Sequence, residues 1–241
     1  MNRIRFLSGE VKSGKVIAQL KPQELADVVM KKEIVIVKSL FSPDRLKELR
    51  RAVREWGKEN TAISHDEFKS NYHSYRAKVS NIQQSPHVFH DYNFNRFETL
   101  PAQLHEMLTG VFEPLRWFHN VLTNRDIPLG VQEKGPYYHP QLIQYPPGGG
   151  FFGRHNHNLN PQQIGFILSL SKYGEDYPNG GTCFEIDGEV VDIEGQLDIG
   201  DLCIWRYDYD HWVKQSTLRD KFSWDTELGR WVATLAYFDP F

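Results

Sequence analysis

From residue 139 onward, apolar and polar positions alternate in short runs broken by Gly, Pro, Asn and Asp, which is the pattern of strands joined by turns. The runs cover 139–145, 152–157, 164–171, 182–186, 190–193, 202–207, 211–215 and 231–238. Asp187-Gly188, set between two of them, is a strong hairpin signal because both residues tolerate positive φ. About eight short strands at this spacing favour a sandwich or jelly roll over an open sheet.

The front of the chain follows a different period. A β-branched run at 33–37 predicts one strand, and Lys21-Pro22 is read as opening a short helix before it. Ser42, Pro43 and Asp44 form a helix start: a capping residue, a preset φ, and an acid for the dipole. Leu46, Leu49, Val53 and Trp56 recur at helical spacing, and Gly57 closes that helix. Residues 58–71 read as a loop or lid. Residues 72–95 carry Tyr72, His73, Tyr75, Arg76, His87, His90 and Tyr92 and read as a solvated rim, or else as a cover that contacts substrate. Leu104, Leu108, Val111, Leu115 and Phe118 predict one or two outer helices over 100–122, with His105 and His119 packed or exposed. Residues 123–138 read as loop.

Composition narrows the class. Hydrophobic residues make up 40% of 241, enough for a sizeable core, and the 15 Phe, 11 Tyr and 6 Trp suit the inner faces of a β-structure. A formal net charge of −3 gives no footprint for nucleic acid or an acidic membrane. The beginning of the sequence lacks a signal-peptide pattern and no apolar run is long enough to span a bilayer. These features predict a soluble, cytoplasmic protein. Cys183 and Cys203 both fall in apolar runs, and two buried thiols are favoured over a disulfide. No repeat or linker divides the chain, so a single domain over 1–241 is expected, with a helical and loop front at 1–138 and a β core at 139–241.

The chemistry concentrates after the run Pro146-Pro147-Gly148-Gly149-Gly150, which reads as a loop. His155 and His157 are two residues apart, so on a strand both would share one face, with Arg154, Asn156 and Asn158 on the other. Imidazole is the commonest protein ligand for mid-row transition metals. Such a pair arises easily by chance among ten histidines. It gains weight from Gly200-Asp201-Leu202, His211-Trp212-Val213 and Gly229-Arg230-Trp231, which follow it in order.

Tyr145, His155-x-His157, Gly180-Gly181-Thr182-Cys183-Phe184, His211 and Arg230 together resemble the iron(II)- and 2-oxoglutarate-dependent oxygenases, most closely the prolyl-hydroxylase branch. The resemblance spans 141–238, about two-fifths of the chain. It implies a double-stranded β-helix, the jelly roll of cupin-like proteins, with α-helices from the N-terminal half on the outside. It further implies Fe(2+) on His155, His157 and His211, and 2-oxoglutarate held by Arg230, with Tyr145 and Ser169 as further polar contacts. A guanidinium offers the bidentate fork that a distal carboxylate needs. The expected partners are O2 and a small-molecule, amino-acid-like substrate whose unactivated C–H is hydroxylated. Asp201 matches a structural turn, and Asp208 or Asp210 could accept a hydrogen bond from a ligand histidine.

His157 departs from that family's pattern, which has a carboxylate at this position. An imidazole fills the space a halogenating variant leaves open, so it argues against halogenation. The site would hold three neutral ligands and one more unit of positive charge. Two other readings stay open: a three-histidine dioxygenase that does not use oxoglutarate, and a barrel without catalysis that serves as a binding subunit.

Overall fold

The computed structural model describes residues 3–66, 69–78, 85–217 and 221–239. Along the chain come strands β1 (Ile4–Lys12) and β2 (Lys15–Ala18), helix α1 (Pro22–Met30), strand β3 (Ile34–Lys38) and helix α2 (Pro43–Glu59). Strands β4 (Tyr72–Lys78) and β5 (His87–Asn93) precede the long helix α3 (Ala102–Thr123). Then follow β6 (Tyr137–Tyr145), β7 (Phe151–His155), β8 (Ile164–Ser169), β9 (Gly181–Ile186) and β10 (Glu189–Asp192). The chain ends on β11 (Leu202–Arg206), β12 (Asp210–Lys214) and β13 (Arg230–Phe238).

The described strands join in one sheet, in the order β10-β9-β12-β7-β5-β6-β13-β8-β11-β3-β1-β2, with β4 along β5. Residues of β6, β7, β8, β11, β12 and β13 line a common cavity, so this sheet curls until its two halves face each other. That is the expected double-stranded β-helix. Asp187 and Gly188 both have positive φ (53° and 80°) between the paired Ile186 and Glu189, the hairpin that dipeptide predicts.

Helices cover one side of the curl. Leu25 and Val29 of α1, Leu46, Leu49 and Val53 of α2, and Leu104, Leu108 and Leu115 of α3 join Val35, Val37, Leu168 and Trp231 in one apolar cluster. Ile34, Ile36, Cys203, Trp205 and Val232 belong to a second cluster, with Phe184 and Tyr145. Strand β3 therefore buries alternate residues on opposite faces, which is why it reads as an unbroken β-branched run. Each fully buried Val, Leu or Ile contributes about 1.5–3 kcal/mol of transfer free energy. Cys183 and Cys203 are buried and free, as expected.

Several front elements differ from the sequence reading. Residues 4–18 form a hairpin, and β1 lies parallel beside β3, although its alternation is faint. Helix α2 continues past Gly57, which is buried and would place a Cβ 2.7 Å from the Tyr92 ring. Ser42 has the extended backbone of a capping residue but makes no side-chain capping bond. A single helix α3 carries Pro114 inside it. The span 72–95 is no solvated rim: β4 and β5 bury His73, Ser74, His90, Asp91 and Asn93 (residues 79–84 lie outside the described residues). Hydrogen bonds between His73 and His90 and from Asn93 to Asp91 satisfy part of this enclosed polarity. No helix among the described residues is long and apolar enough to cross a membrane.

His119 of α3 is fully buried, donates from Nε2 to the Ile164 carbonyl (2.8 Å), and accepts from the Tyr138 hydroxyl at Nδ1 (2.6 Å). In the neutral ring, with the proton on Nε2, both bonds form without burying a charge. Burial pushes its pKa down to about 4 from an ordinary 6.5. The unfolded chain takes up the proton first, so stability falls as pH drops from about 6.5 through about 4, then levels off. The full swing from this residue is about 3 kcal/mol. Urea midpoints across that pH range should show it, and His119→Gln should flatten the profile by about one proton.

Candidate metal centre

Strand pairing brings the three histidines together. His211 of β12 lies directly opposite His155 of β7, with ring centroids 4.2 Å apart. The strand β7 ends at His155, so His157 stands just beyond it rather than on it. The alternation nevertheless persists: Arg154, Asn156 and Asn158 are exposed, while His155 and His157 are partly buried. The His157 ring stacks on Tyr207 (centroids 4.4 Å, planes 12° apart) and lies 5.2 Å from the His211 ring. One ligand nitrogen from each histidine falls within 4.8 Å of the others, a spacing that fits a shared metal ion.

Tautomers can be read from the hydrogen bonds. His155 Nδ1 meets the Gly153 carbonyl at 2.8 Å and His211 Nδ1 meets the Tyr209 carbonyl at 2.9 Å. A carbonyl only accepts, so both Nδ1 atoms carry the proton and both Nε2 atoms keep a lone pair. The acceptors that orient the rings are thus backbone carbonyls, not Asp208 or Asp210. Asp210 instead pairs with Arg154 and accepts from Asn156, and Asp208 pairs with Arg206. Burial lowers the pKa of all three imidazoles, that of His157 to about 4 and that of His211 to about 3, with His155 adding to both. At neutral pH the cluster is uncharged and ready to ligate.

The rings border a cavity of about 210 Å³, whose wall also includes Tyr145, Thr182, Trp205, Tyr207 and Arg230. Arg230 opens β13 opposite Tyr145, the last residue of β6, and its guanidinium sits 5.5 Å from the centre of the Tyr145 ring. Burial pushes the Tyr145 phenol up to about 12, so it stays protonated. Trp205 contributes an indole N–H that is buried and has no partner among the described residues. Ser169 is buried, but it is not among the cavity-lining residues, and its hydroxyl donates to the Ser171 carbonyl. It is therefore engaged away from the cavity. Asp201 is structural as expected, accepting from the Ser39 and Asp198 amides and pairing with Lys38.

Sequence reasoning passed over Glu194. Its Oε1 accepts from Arg230 Nε (2.7 Å) and from the Tyr177 hydroxyl, and its Oε2 accepts from the Thr182 amide (2.6 Å). Arg230 Nη2 also donates to the Thr182 hydroxyl (2.6 Å). Both charged partners are almost fully buried, at 3% and 2% exposure. Burial opposes the guanidinium charge, but Glu194 outweighs it and raises the Arg230 pKa. Gly181 makes the approach possible: any Cβ there would lie 2.1 Å from Glu194 Cγ, and φ is +102°. The Gly-Gly-Thr motif carried this signal, whereas nothing in the sequence around Glu194 did.

No family model matches the sequence, and no curated relative matches it. Solved structures do match in fold. A prolyl-4-hydroxylase of Pseudomonas putida is 14% identical with a TM-score of 0.54, the match covering 90% of this chain and 97% of that one. The non-heme α-ketoglutarate-dependent epimerase SnoN from nogalamycin biosynthesis is 10% identical with a TM-score of 0.55, over 90% of this chain and 82% of that one. A Trichoplax adhaerens prolyl hydroxylase, solved with a hypoxia-inducible-factor peptide, is 14% identical with a TM-score of 0.52, over 90% of each chain. The fold implied by the residue pattern is thus the fold these proteins share.

Proposed function

We propose that this chain is an iron(II)- and 2-oxoglutarate-dependent oxygenase that hydroxylates an unactivated C–H of a small, amino-acid-like molecule. The observation that carries the reading is the convergence of three neutral imidazoles at a cavity that also contains a buried guanidinium. His155, His157 and His211 would hold Fe(2+), and the donor set fits that ion because each nitrogen is uncharged and unprotonated at neutral pH. The bound metal would let O2 oxidise oxoglutarate to succinate and CO2 while one oxygen atom enters the substrate. Arg230 would receive the distal carboxylate of oxoglutarate. Two of its N–H groups are held by Glu194 and Thr182, which fix its plane. Tyr145, protonated and beside it, could donate a further bond. Trp205 supplies a partnerless donor in the same wall.

Charge balance supports this assignment. A site with two histidines, one carboxylate and an arginine totals the same charge as three histidines with an Arg230–Glu194 pair. The negative charge has moved from the metal to the far side of the guanidinium. A dianionic cosubstrate meets equal net charge in either layout.

Glu194 also favours a second reading. An arginine already paired with a carboxylate need not bind another, and a three-histidine dioxygenase without oxoglutarate would then be left. Succinate release from oxoglutarate with added Fe(2+) separates the two. The expected result is turnover that Arg230→Lys weakens at least about tenfold in oxoglutarate affinity, since lysine cannot present the fork. An unchanged affinity transfers the assignment to the second reading.

A further inference from the structure

Beside the histidine cavity lies a wider chamber of about 520 Å³, and the two share Gln141, Ile143, Phe152 and His155 in their walls. A molecule in the wider chamber therefore lies against His155, one of the proposed ligands. Strand alternation builds its wall: His87, Phe89 and Asp91 recur every second residue on β5. Arg76 comes from β4, opposite Phe89.

The polar groups are unbalanced. Asp66 and Asp91 set two carboxylates against the single guanidinium of Arg76. Arg76 pairs with Asp66 and reaches Asp91 Oδ2 at a long 3.5 Å. Asp91 Oδ2 also accepts from Asn93 (2.9 Å), while Oδ1 is buried and has no partner among the described residues. Asp91 is only 3% exposed. A buried carboxylate oxygen without a donor is costly to keep, and such groups persist where a ligand supplies the donor. His87 Nδ1 donates to the Ser85 carbonyl (2.8 Å), so a neutral His87 keeps an acceptor at Nε2. Phe89 and Phe152 add aromatic faces, which also attract cations.

We infer that this chamber is the substrate site and that it selects a molecule with a basic amine, whose ammonium group is taken by Asp91. The inference rests on the oxygenase reading only for the word substrate; the amine site itself stands on the chamber alone. A carboxylate substrate head would meet net negative charge here, and a neutral alcohol would leave that charge uncompensated. The amine would be anchored on β5 while the reacting carbon lies toward His155.

The test needs neither metal nor oxoglutarate. Titrate the full chain with phenethylamine, 2-phenylethanol and 3-phenylpropionate, and follow binding by calorimetry or ligand-observed NMR. The ammonium compound should bind about tenfold or more tightly than either analogue. Asp91→Asn should erase that preference, and Arg76→Gln should increase it several-fold by removing the competing cation. The second variant keeps the test decisive if the first fails to fold. Equal binding of all three, binding of none, or a preference that both variants leave intact overturns the inference. Succinate release is scored separately, so an oxygenase without amine selectivity and an amine site without oxygenase activity give different results.

Discussion

Replacing either Arg230 or Glu194 by alanine lowers the unfolding free energy by about 3–5 kcal/mol. The two side chains are nearly fully buried and bonded at 2.7 Å, so removing one leaves the other charged and enclosed. A domain of this kind has a total stability of about 5–15 kcal/mol, so the single variants approach the point of unfolding. The double variant Glu194→Met, Arg230→Met removes both charges and should cost clearly less than the sum of the Glu194→Met and Arg230→Met single changes. Urea unfolding of the four proteins measures the coupling; single-variant losses below about 1 kcal/mol would show that the pair is solvated and not buried. The same reasoning decides which variant can test cosubstrate binding. Alanine at 230 removes affinity and fold together, whereas Arg230→Lys keeps a cation against Glu194.

The fold was legible where pattern and packing agree. Alternating runs in the β core, the Asp187-Gly188 hairpin and the start of α2 each follow from local chemistry, and each lies where that chemistry predicts. Strands β4 and β5 were not legible, because their buried faces are polar. His73, His90, Asp91 and Asn93 are tolerated inside by bonds between side chains distant in sequence, such as His73 Nδ1 with His90 Nε2 at 2.9 Å. No hydropathy pattern encodes such pairing. The site divides the same way. His155, His157 and His211 were legible because spacing and order mark them, and Arg230 because it opens an apolar run. Glu194 was hidden: a carboxylate at a short turn before a Gly reads as surface until the chain folds it behind Arg230. Ser169 shows the converse, since its strand position matched while its hydroxyl turned to the Ser171 carbonyl.

In the proposed metal centre His157 would set the electronic character, and the variant His157→Asp isolates it. The histidine contributes a neutral nitrogen at a position where a carboxylate would supply one negative charge. His155→Ala or His211→Ala removes a proposed ligand whose ring is fixed by a backbone carbonyl, and Fe(2+) affinity should fall by at least about a hundredfold, more than loss of an orienting partner costs. His157→Asp keeps three ligands and adds a charge. Fe(2+) should bind about tenfold or more tightly, and oxoglutarate about tenfold less tightly, because the net positive charge it meets has dropped by one. The two affinities moving in opposite directions is the signature of a ligand that bears on both. Calorimetry with Fe(2+) under anaerobic conditions, then with oxoglutarate added to the loaded protein, reads each in turn. If His157→Ala binds metal like the parent chain, two imidazoles suffice and the stacking of His157 on Tyr207 is its whole role. If oxoglutarate affinity rises along with that of Fe(2+) in the aspartate variant, net charge does not govern cosubstrate binding and the charge balance drawn between the two ends of the cavity fails.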